Sequence, residues 1–417
     1  MSAKSSPVVA HADLDCFFAA AEILRRPELE HLPVAVAGPG SSSVVATANY
    51  PARAFGVHSA MSVSSARRLC KNLVVVEPDF AWYRSLSLEV MAAMTVCSTI
   101  IEPVSFDEAY LAFDELVTFD NAAHRAQRIR ADVLARTGLV VSVGMAPTRT
   151  AAKLASGAAK PDGFVVITPE GLGAFLSERS LEDLPGLGPA TLKRLDEAGV
   201  RTVDALIAMP VQDLRDLVGV SLATYLTGMV NGTGGTTVAP PARQTSVSTE
   251  HTIDHEVTSA KEFTALVREA AVEATARLTS LGLGARGVTL KVRSADFTDV
   301  SKSHQMPAPT SDPAIIMAAL RALLEPTFRR AGGRVRLIGV GLTGLTETIQ
   351  LSFNFADPAA VAQNLDPVPV PGSRVRHRMY GLGTIALSAP DAAIVRFDDE
   401  QVRVIATPRD YLTRVAT

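Results

Sequence analysis

Two short apolar, strand-like runs in this chain carry carboxylates that a sheet would not need. Residues 105–111 contain the adjacent pair Asp107 and Glu108, and residues 8–15 contain Asp13. Neighbouring carboxylates repel each other and lose hydration when partly buried, so they persist where a cation compensates them. Hard oxygen ligands without paired His or Cys suit Mg²⁺ held together with the phosphates of a substrate. The pattern therefore predicts two-metal phosphoryl-transfer chemistry.

The elements that must position these carboxylates are both helical and strand-like, which predicts an α+β protein. A strand over residues 8–13 leads into a helical pattern, and strands such as 142–145 alternate with helical stretches such as 122–136. Residues 171–232 have a helical pattern. Residues 233–245 are rich in Gly, Thr and Pro, which indicates an extended linker and a mobile joint.

The pattern beyond that linker predicts a further α+β domain and a small β module. Residues 288–293 and 334–340 alternate as half-buried strands, separated by helical stretches at 261–281 and 313–331. Short strands and Gly turns over residues 371–417 suggest a small β-barrel. We therefore expect a multidomain chain.

Length and composition agree with a multidomain globular protein. The 417 residues suggest roughly two to four domains. With 47% hydrophobic and 20% charged residues, and no apolar run of the ~18 residues that a membrane span requires, we expect a cytoplasmic protein. The 3 cysteines lack metal-ligand spacing and are expected to be reduced. A net charge of −3 is unusual for a nucleic-acid binder, so any basic surface must be local.

Two features could contact a DNA backbone. Gly186 and Gly188, followed by Lys193, resemble a helix-hairpin-helix, in which glycines let backbone N–H groups approach a phosphate; an ordinary glycine turn is the alternative. A basic stripe is expected where four cations alternate onto one face of two strands, and a solvated sheet face is its alternative. These cations are Lys291, Arg293, Arg334 and Arg336.

Five segments in order resemble the Y-family DNA polymerases, the translesion enzymes, and in particular their DinB or DNA polymerase IV branch. The segments are residues 8–22, 45–57, 105–111, 142–146 and 159–163. The resemblance extends from residue 8 to about residue 355, and it implies a right-hand polymerase. Its parts would be the palm (1–22 and 76–170), fingers (23–75), helical thumb with the helix-hairpin-helix (171–232), linker (233–245), little finger (246–349), clamp-binding tail (350–370) and small β module (371–417).

The resemblance also assigns the metal site. Asp13, Asp107 and Glu108, together with the main-chain carbonyl of Leu14, would hold two Mg²⁺ ions. Asp15 is often acidic in this family without being a metal ligand. Each carboxylate alone could equally be a solvated strand end.

The resemblance places the incoming dNTP on two sets of residues. Thr47, Tyr50, Arg53 and Lys160 would contact its triphosphate, although Tyr50 and Arg53 could simply cover a helix face. Pro51 replaces the Glu common at its position, and a first helical turn tolerates it.

Adjacent aromatic residues would meet the sugar and base. Phe18 falls at the steric gate, where an aromatic ring excludes a 2′-hydroxyl, and Phe17 beside it could be the core aromatic of the pair. The alternative is that Phe18 is itself a core residue.

A sliding clamp is the expected protein partner. Gln350, Leu351, Phe353 and Phe355 resemble a β-clamp-binding peptide, and an edge strand is the alternative.

The whole resemblance implies a low-fidelity, template-directed polymerase that acts as a monomer on primer-template DNA and dNTPs. A non-catalytic DNA-binding repair or scaffold protein with the same fold is the main alternative. A nucleotide cyclase or another palm-type transferase would not need the helix-hairpin-helix, linker and little finger.

Overall fold

The computed structural model describes most of the chain as two compact units, Met1–Ala242 and Arg243–Thr417. The described residues are 8–40, 43–95, 98, 100–113, 119–239, 244–347, 373–377, 381–388, 392–398, 402–406 and 412–414. The division falls within the predicted linker, residues 233–245. Of the helices described, none is both long and apolar enough to cross a lipid bilayer.

The first unit contains two sheets and a series of helices. In chain order its first elements are β1 (Val9–Leu14), α1 (Phe17–Arg25), β2 (Val34–Ala37), β3 (Val45–Ala48), α2 (Tyr50–Arg53), α3 (Val63–Leu69), β4 (Val74–Val76), α4 (Phe80–Thr95), β5 (Ile100–Pro103), β6 (Glu108–Ala112), α5 (Phe119–Thr137), β7 (Val141–Ala146), α6 (Arg149–Ala159) and β8 (Phe164–Val166). They are followed by α7 (Leu172–Ser177), α8 (Pro189–Glu197), α9 (Val203–Ala208), α10 (Val211–Val218) and α11 (Val220–Val230).

The central sheet has five strands in the order β5-β6-β1-β7-β8, with β1 antiparallel to both neighbours. Asp13 lies opposite Glu108, and His11 lies opposite Tyr110 on β6. Gly144 on β7 lies opposite His11 on the other side. Because side chains alternate along a strand, positions two apart share a face, so Asp13, Glu108 and His11 belong to one face of the sheet.

Helix α6 packs on that face of the central sheet. The Thr148 hydroxyl caps its start by accepting from Ala151 N at 3.2 Å. The buried alanines Ala151, Ala152 and Ala155 form its inner side. A Cβ on Gly144 would lie 2.1 Å from the backbone nitrogen of Ser156, so the close approach of α6 requires glycine there.

The small sheet, in the order β3-β2-β4, positions helix α2. Asn49 connects them: its Oδ1 accepts from Val34 N at 2.9 Å and from Ala52 N at 3.1 Å, and its Nδ2 donates to Leu32 O at 2.8 Å. Pro51 lies in the first turn of α2, where no helical N–H is needed, as the sequence predicted.

The first half of the predicted linker is attached to the central sheet. Gly235 O accepts from Arg149 N at 2.8 Å, and Thr237 O accepts from Nη1 of Arg149 at 3.0 Å. Ala239 N donates to Glu102 at 2.9 Å, and Arg149 and Glu102 form an ion pair with each other. These bonds hold residues 235–239 of the predicted linker, and the mobile joint stays a prediction.

The second unit contains a four-stranded sheet and a five-stranded sheet. The elements are β9 (Ser246–Val257), α12 (Ala260–Ser280), β10 (Gly284–Ser294), β11 (Asp299–Thr310), α13 (Pro313–Arg330) and β12 (Val335–Thr346), then β13 (Arg374–His377), β14 (Gly381–Ser388), β15 (Ala392–Phe397), β16 (Val402–Ala406) and β17 (Leu412–Arg414). The first sheet has the order β11-β10-β12-β9 and packs against α12 and α13. The second has the order β16-β15-β14-β13-β17.

We predict that Gly144→Ala destabilises the protein by about 1–3 kcal/mol, because the new methyl group overpacks the contact between β7 and α6. Gly157→Ala on the same helix is the matched control. A Cβ there would meet no atom of the described residues within 4 Å, so a gain of about 0.5–1 kcal/mol is expected. Denaturant unfolding measures both. Equal stability of Gly144→Ala and wild type would contradict this account of the packing.

Candidate active site

Asp13 and Glu108 are brought side by side by the register of β1 and β6. They form a group with His11 in which one possible ligand atom from each residue lies within 4.8 Å of the others. Both carboxylates are partly buried, with 20% and 16% of their side chains exposed. Their oxygens form a hard donor set of the kind that Mg²⁺ prefers.

Asp107 is not part of this group. It lies in the bend that precedes β6, so the predicted strand-like position applies to Glu108 alone. The Asp107 carboxylate accepts from the Ser105 hydroxyl at 2.5 Å. Its backbone carbonyl accepts from Leu14 N at 2.9 Å, which places the residue beside the end of β1.

Two lysines from α6 and its C-terminal end neutralise the paired carboxylates. Lys153 forms an ion pair with Glu108, and Lys160 forms one with Asp13. Lys160 Nζ also donates to the main-chain carbonyl of Leu14 at 3.2 Å. The ammonium of Lys160 thus stands in for a cation between the carboxylate and the carbonyl that were predicted to bind metal, and the site fits a bound cation.

The two carboxyl groups differ in their electrostatics. Burial raises the pKa of Asp13 above its usual range and outweighs the favourable effect of Lys160. Contact with His11, followed by Lys153, lowers the pKa of Glu108 to about 2. The His11 imidazole has its pKa lowered, chiefly by burial. Glu108 is therefore charged across the physiological range, and Asp13 is the carboxylate whose charge depends most on a cation beside it.

Asp15 is buried and fully engaged in holding a turn. Its Oδ1 accepts from the Ser142 hydroxyl at 2.9 Å and its Oδ2 accepts from Asp162 N at 2.7 Å. That turn follows Lys160, so Asp15 sets the position of the lysine. This accounts for an acidic residue two positions after Asp13 that does not face the carboxylate group.

The two adjacent aromatic residues Phe17 and Phe18 differ in burial. Phe17 is 1% exposed and lies in the core, whereas Phe18 is only partly buried. The Phe18 ring stacks on Tyr83 with centroids 4.5 Å apart and meets Phe80 and Phe106 edge-on. The ring is therefore held in a fixed orientation at the start of α1, close in sequence to Asp13.

Tyr50 and Arg53 lie on α2, and Thr47 precedes them on β3. The Arg53 guanidinium stacks over the Tyr50 ring at 5.1 Å, and its Nε donates to Ala48 O at 2.8 Å. The Tyr50 hydroxyl is buried and bonds to no described residue, and burial is the main cause that raises its pKa. An unpartnered buried hydroxyl is costly, which fits a site for a polar ligand.

The predicted hairpin glycines differ in their roles. Gly186 adopts a positive φ of 92°, which favours glycine, and Gly188 is the N-cap of α8, with Pro189 at its first turn. Lys193 is 78% exposed, and its Nζ lies 3.8 Å from Glu197.

The predicted basic stripe consists mostly of ion pairs within its own sheet. Lys291 lies 3.0 Å from Glu250, with Gly339 of β12 between them. Arg293 binds Asp299, Arg334 binds Glu256, and Arg336 stacks on the Phe297 ring at 4.2 Å. The contact of these residues with DNA stays a prediction. The proposed clamp residues Gln350, Leu351, Phe353 and Phe355 lie outside the described residues.

Sequence reasoning missed three side chains of α6, those of Arg149, Lys153 and Ser156, and that of His11 on β1. Arg149, Lys153, Ser156 and Lys160 recur every three or four residues and meet, in order, Glu102, Glu108, His11 and Asp13. Of these, only Lys160 was predicted. The helical spacing was visible in the sequence, and His11 lies two positions before Asp13 on the same strand face.

The chain matches known proteins over nearly its whole length. Residues 12–157 match the impB/mucB/samB family, residues 244–353 match the C-terminal domain of that family, and residues 178–225 match a helix-hairpin-helix tandem. The DNA polymerase IV of Streptomyces coelicolor is 35% identical over 99% of this chain and 88% of its own length. That of Halorhodospira halophila is 37% identical over 81% of this chain and 95% of its own.

Solved structures agree with the sequence matches. A Y-family DNA polymerase chimera has a TM-score of 0.76 and 26% identity, covering 82% of this chain and 100% of its own. An insertion ternary complex of Dbh DNA polymerase has a TM-score of 0.60 and 25% identity, covering 81% and 98%.

The fold and the carboxylate site define a palm-type nucleotidyl transferase of right-hand architecture with a helix-hairpin-helix thumb. The chain belongs to the Y family of DNA polymerases, in the DNA polymerase IV branch, and is a DNA-directed DNA polymerase. The non-catalytic alternative is thereby set aside, and the helix-hairpin-helix prediction is confirmed.

Proposed function

We propose that this polymerase copies past damaged template bases by two-metal nucleotidyl transfer from dNTPs to a primer 3′-hydroxyl. The observation that carries the proposal is the pairing of Asp13 and Glu108 on one sheet face, each neutralised by a lysine that a cation could replace. The relatives named DNA polymerase IV and the solved ternary complex support primer-template DNA and dNTP as the substrates.

The proposed ligands are Asp13, Asp107, Glu108 and the main-chain carbonyl of Leu14. Bound there, two Mg²⁺ ions would lower the pKa of the primer hydroxyl and neutralise the charge that develops on the triphosphate. Asp107 joins the set in this proposal because its backbone lies beside Leu14, at the end of β1.

The chain's own cations and hydroxyls would bind and orient the triphosphate. Once a cation neutralises the Asp13 carboxylate, the ammonium group of Lys160 would leave Asp13 and bind a phosphate oxygen instead. Arg53 would present its planar guanidinium, held over Tyr50, and the Tyr50 hydroxyl would gain a phosphate partner. Thr47 would supply a further hydroxyl from β3. Thr47, Tyr50 and Arg53 are positioned by the small sheet and α2, and Lys160 is positioned by the end of α6.

Primer extension tests the proposal. We expect Asp107→Ala or Glu108→Ala to reduce extension on an undamaged template by at least about 100-fold, because these carboxylates act in the chemical step. DNA affinity should be retained, since the backbone contacts lie elsewhere. Glu89→Ala, which removes an exposed carboxylate from α4, is the matched control and should extend normally.

The same assay tests the metal-site assignment and the translesion proposal separately. Wild-type enzyme with Mg²⁺ should extend a primer past an abasic site in the template, and omission of Mg²⁺ should stop synthesis. Near-normal turnover of either carboxylate variant would sink the site assignment. A complete stop at the lesion with normal synthesis before it would sink the translesion proposal alone.

Phe18 is proposed as the steric gate and Phe17 as its neighbour behind the nucleotide site. We expect Phe18→Leu to increase ribonucleotide insertion relative to deoxyribonucleotide insertion by roughly 10-fold or more, because the ring that would clash with a 2′-hydroxyl is lost. Phe80→Leu makes the same change in a ring that packs edge-on against Phe18. If both variants changed the ribose selectivity of single-nucleotide insertion equally, loosening of the cluster would explain the effect and the gate would lie elsewhere.

DNA-backbone contacts are proposed for Gly186, Gly188 and Lys193 in the thumb and for the four stripe cations Lys291, Arg293, Arg334 and Arg336 in the little finger. We propose that the enzyme binds DNA as a monomer. Residues 350–355 are proposed to bind a sliding clamp, on the strength of the sequence pattern alone.

Replacement of Gln350, Phe353 and Phe355 by Ala should leave unassisted synthesis intact and remove the clamp's stimulation, because a tether raises effective concentration without altering the insertion site. Extension length with and without a loaded clamp measures this. Unchanged clamp affinity of the triple variant would instead favour an edge strand.

A further inference from the structure

His11 is a wholly buried imidazole whose two nitrogens meet different partners. Its Nδ1 lies 2.7 Å from the Ser156 hydroxyl. Its Nε2 lies 3.3 Å from Oε2 of Glu108 but makes no aligned hydrogen bond with any residue that the structure describes. A buried polar nitrogen aimed at a carboxylate at this distance is one small movement away from a hydrogen bond.

The residues around His11 hold its imidazole ring in this position. Strand alternation puts it on the same face as Asp13, and Gly144 on the neighbouring strand lets α6 approach until the Ser156 hydroxyl reaches the ring. The Tyr110 ring packs against the imidazole with centroids 4.7 Å apart. The ring is therefore fixed on three sides.

The single hydroxyl proton of Ser156 decides the tautomer. The hydroxyl can also donate to the carbonyl of Lys153, 2.8 Å away, although that carbonyl lies inside α6 and one of its two lone pairs already accepts a backbone N–H. If the proton went to the carbonyl, Nδ1 would carry the imidazole hydrogen and Nε2 would direct a lone pair at a carboxylate. If the proton goes to Nδ1, Nε2–H faces Oε2 of Glu108, which is favourable.

We propose that His11 is a positioning residue for Glu108: Ser156 donates to Nδ1, and Nε2–H donates to Oε2 of the carboxylate. The proposal rests on Glu108 being a metal ligand, as proposed above. Both described contacts of Glu108, from His11 and from Lys153, fall on Oε2. When Lys153 gives way to a bound cation, His11 keeps that oxygen in place and fixes the direction in which the carboxylate faces the cation. Ligand carboxylates are commonly oriented by such hydrogen bonds.

The tautomer can be measured directly in the full chain without metal, DNA or nucleotide. Protein labelled with ¹⁵N only at its 8 histidines gives side-chain spectra in which the two neutral tautomers differ, and His11→Gln identifies the His11 signals. We expect the Nε2–H tautomer in wild type and its loss or mixing in Ser156→Ala. Thr150→Val is the matched control, because it removes a hydroxyl of the same helix that bonds Tyr225 instead.

An Nδ1–H tautomer in wild type would overturn the proposal, since an Nε2 lone pair would instead fit a direct metal ligand. An unchanged His11 spectrum in Ser156→Ala would overturn it as well. Neither result depends on whether the enzyme polymerises, so failure here is separable from failure of the carboxylate variants in primer extension.

The dependence of extension on Mg²⁺ provides the functional test. His11→Phe keeps a ring but no donor, and we expect the Mg²⁺ concentration for half-maximal rate to rise about 10-fold, with partial recovery in His11→Gln, whose amide can donate. Unfolding midpoints and DNA affinity, measured alongside, should stay near those of wild type. A wild-type Mg²⁺ dependence in folded His11→Phe would overturn the proposal.

Discussion

The structure of the central-sheet face that carries Asp13 and Glu108 depends on one constraint: these half-buried carboxylates must have counter-charges. Exposed ion pairs contribute about 0–1 kcal/mol each, so stability alone would not require the row of contacts that α6 makes. At a partly buried site, however, an unpaired carboxylate is strongly unfavourable. Helix α6 and the residue after it meet this requirement, with Arg149 on Glu102, Lys153 on Glu108 and Lys160 on Asp13. The helix and the acidic face therefore determine each other's position.

In this arrangement Asp13 and Asp15, which lie close in sequence, have different roles. Asp13 faces the cation position, and burial raises its pKa, so it gains most when a cation is present. Both carboxylate oxygens of Asp15 accept hydrogen bonds, one from the Ser142 hydroxyl and one from the turn after Lys160. Because Lys160 lies at the C-cap of α6 rather than within it, its side chain can leave Asp13 without disturbing the helix. In the proposed mechanism, Asp13 would thus bind the cation, while Asp15 holds the turn that follows Lys160, the lysine that would make way for it.

The sequence predicted those parts of the site that depend on one segment at a time. The two acidic runs predicted that Asp13, Asp107 and Glu108 would lie together, and the structure groups Asp13 with Glu108 while Asp107 lies in the bend before β6. The glycines around residue 187 indicated the hairpin. It did not predict the roles of His11, Lys153 and Ser156, because these follow from how closely α6 approaches the sheet. That distance is set by a missing side chain at Gly144, which no pattern of apolar residues reveals. The bonds that hold residues 235–239 were missed because they come from Arg149 and Glu102, far away in sequence.

The predicted stripe illustrates the same limit and bears on how the chain could bind DNA despite a net charge of −3. Alternation correctly placed Lys291 and Arg293 on the outward face of β10, but their carboxylate partners appear only when the register across β12 and β11 is known. Gly339 leaves room for the Lys291 pair, because a Cβ there would lie 2.7 Å from Cγ of Glu250. A phosphate that binds such a cation must displace a carboxylate, so the net gain per contact is smaller than for a free lysine. If the stripe contacts DNA as proposed, binding through it would be weak. A tether such as the proposed clamp segment would then raise the effective concentration of the enzyme at the primer end.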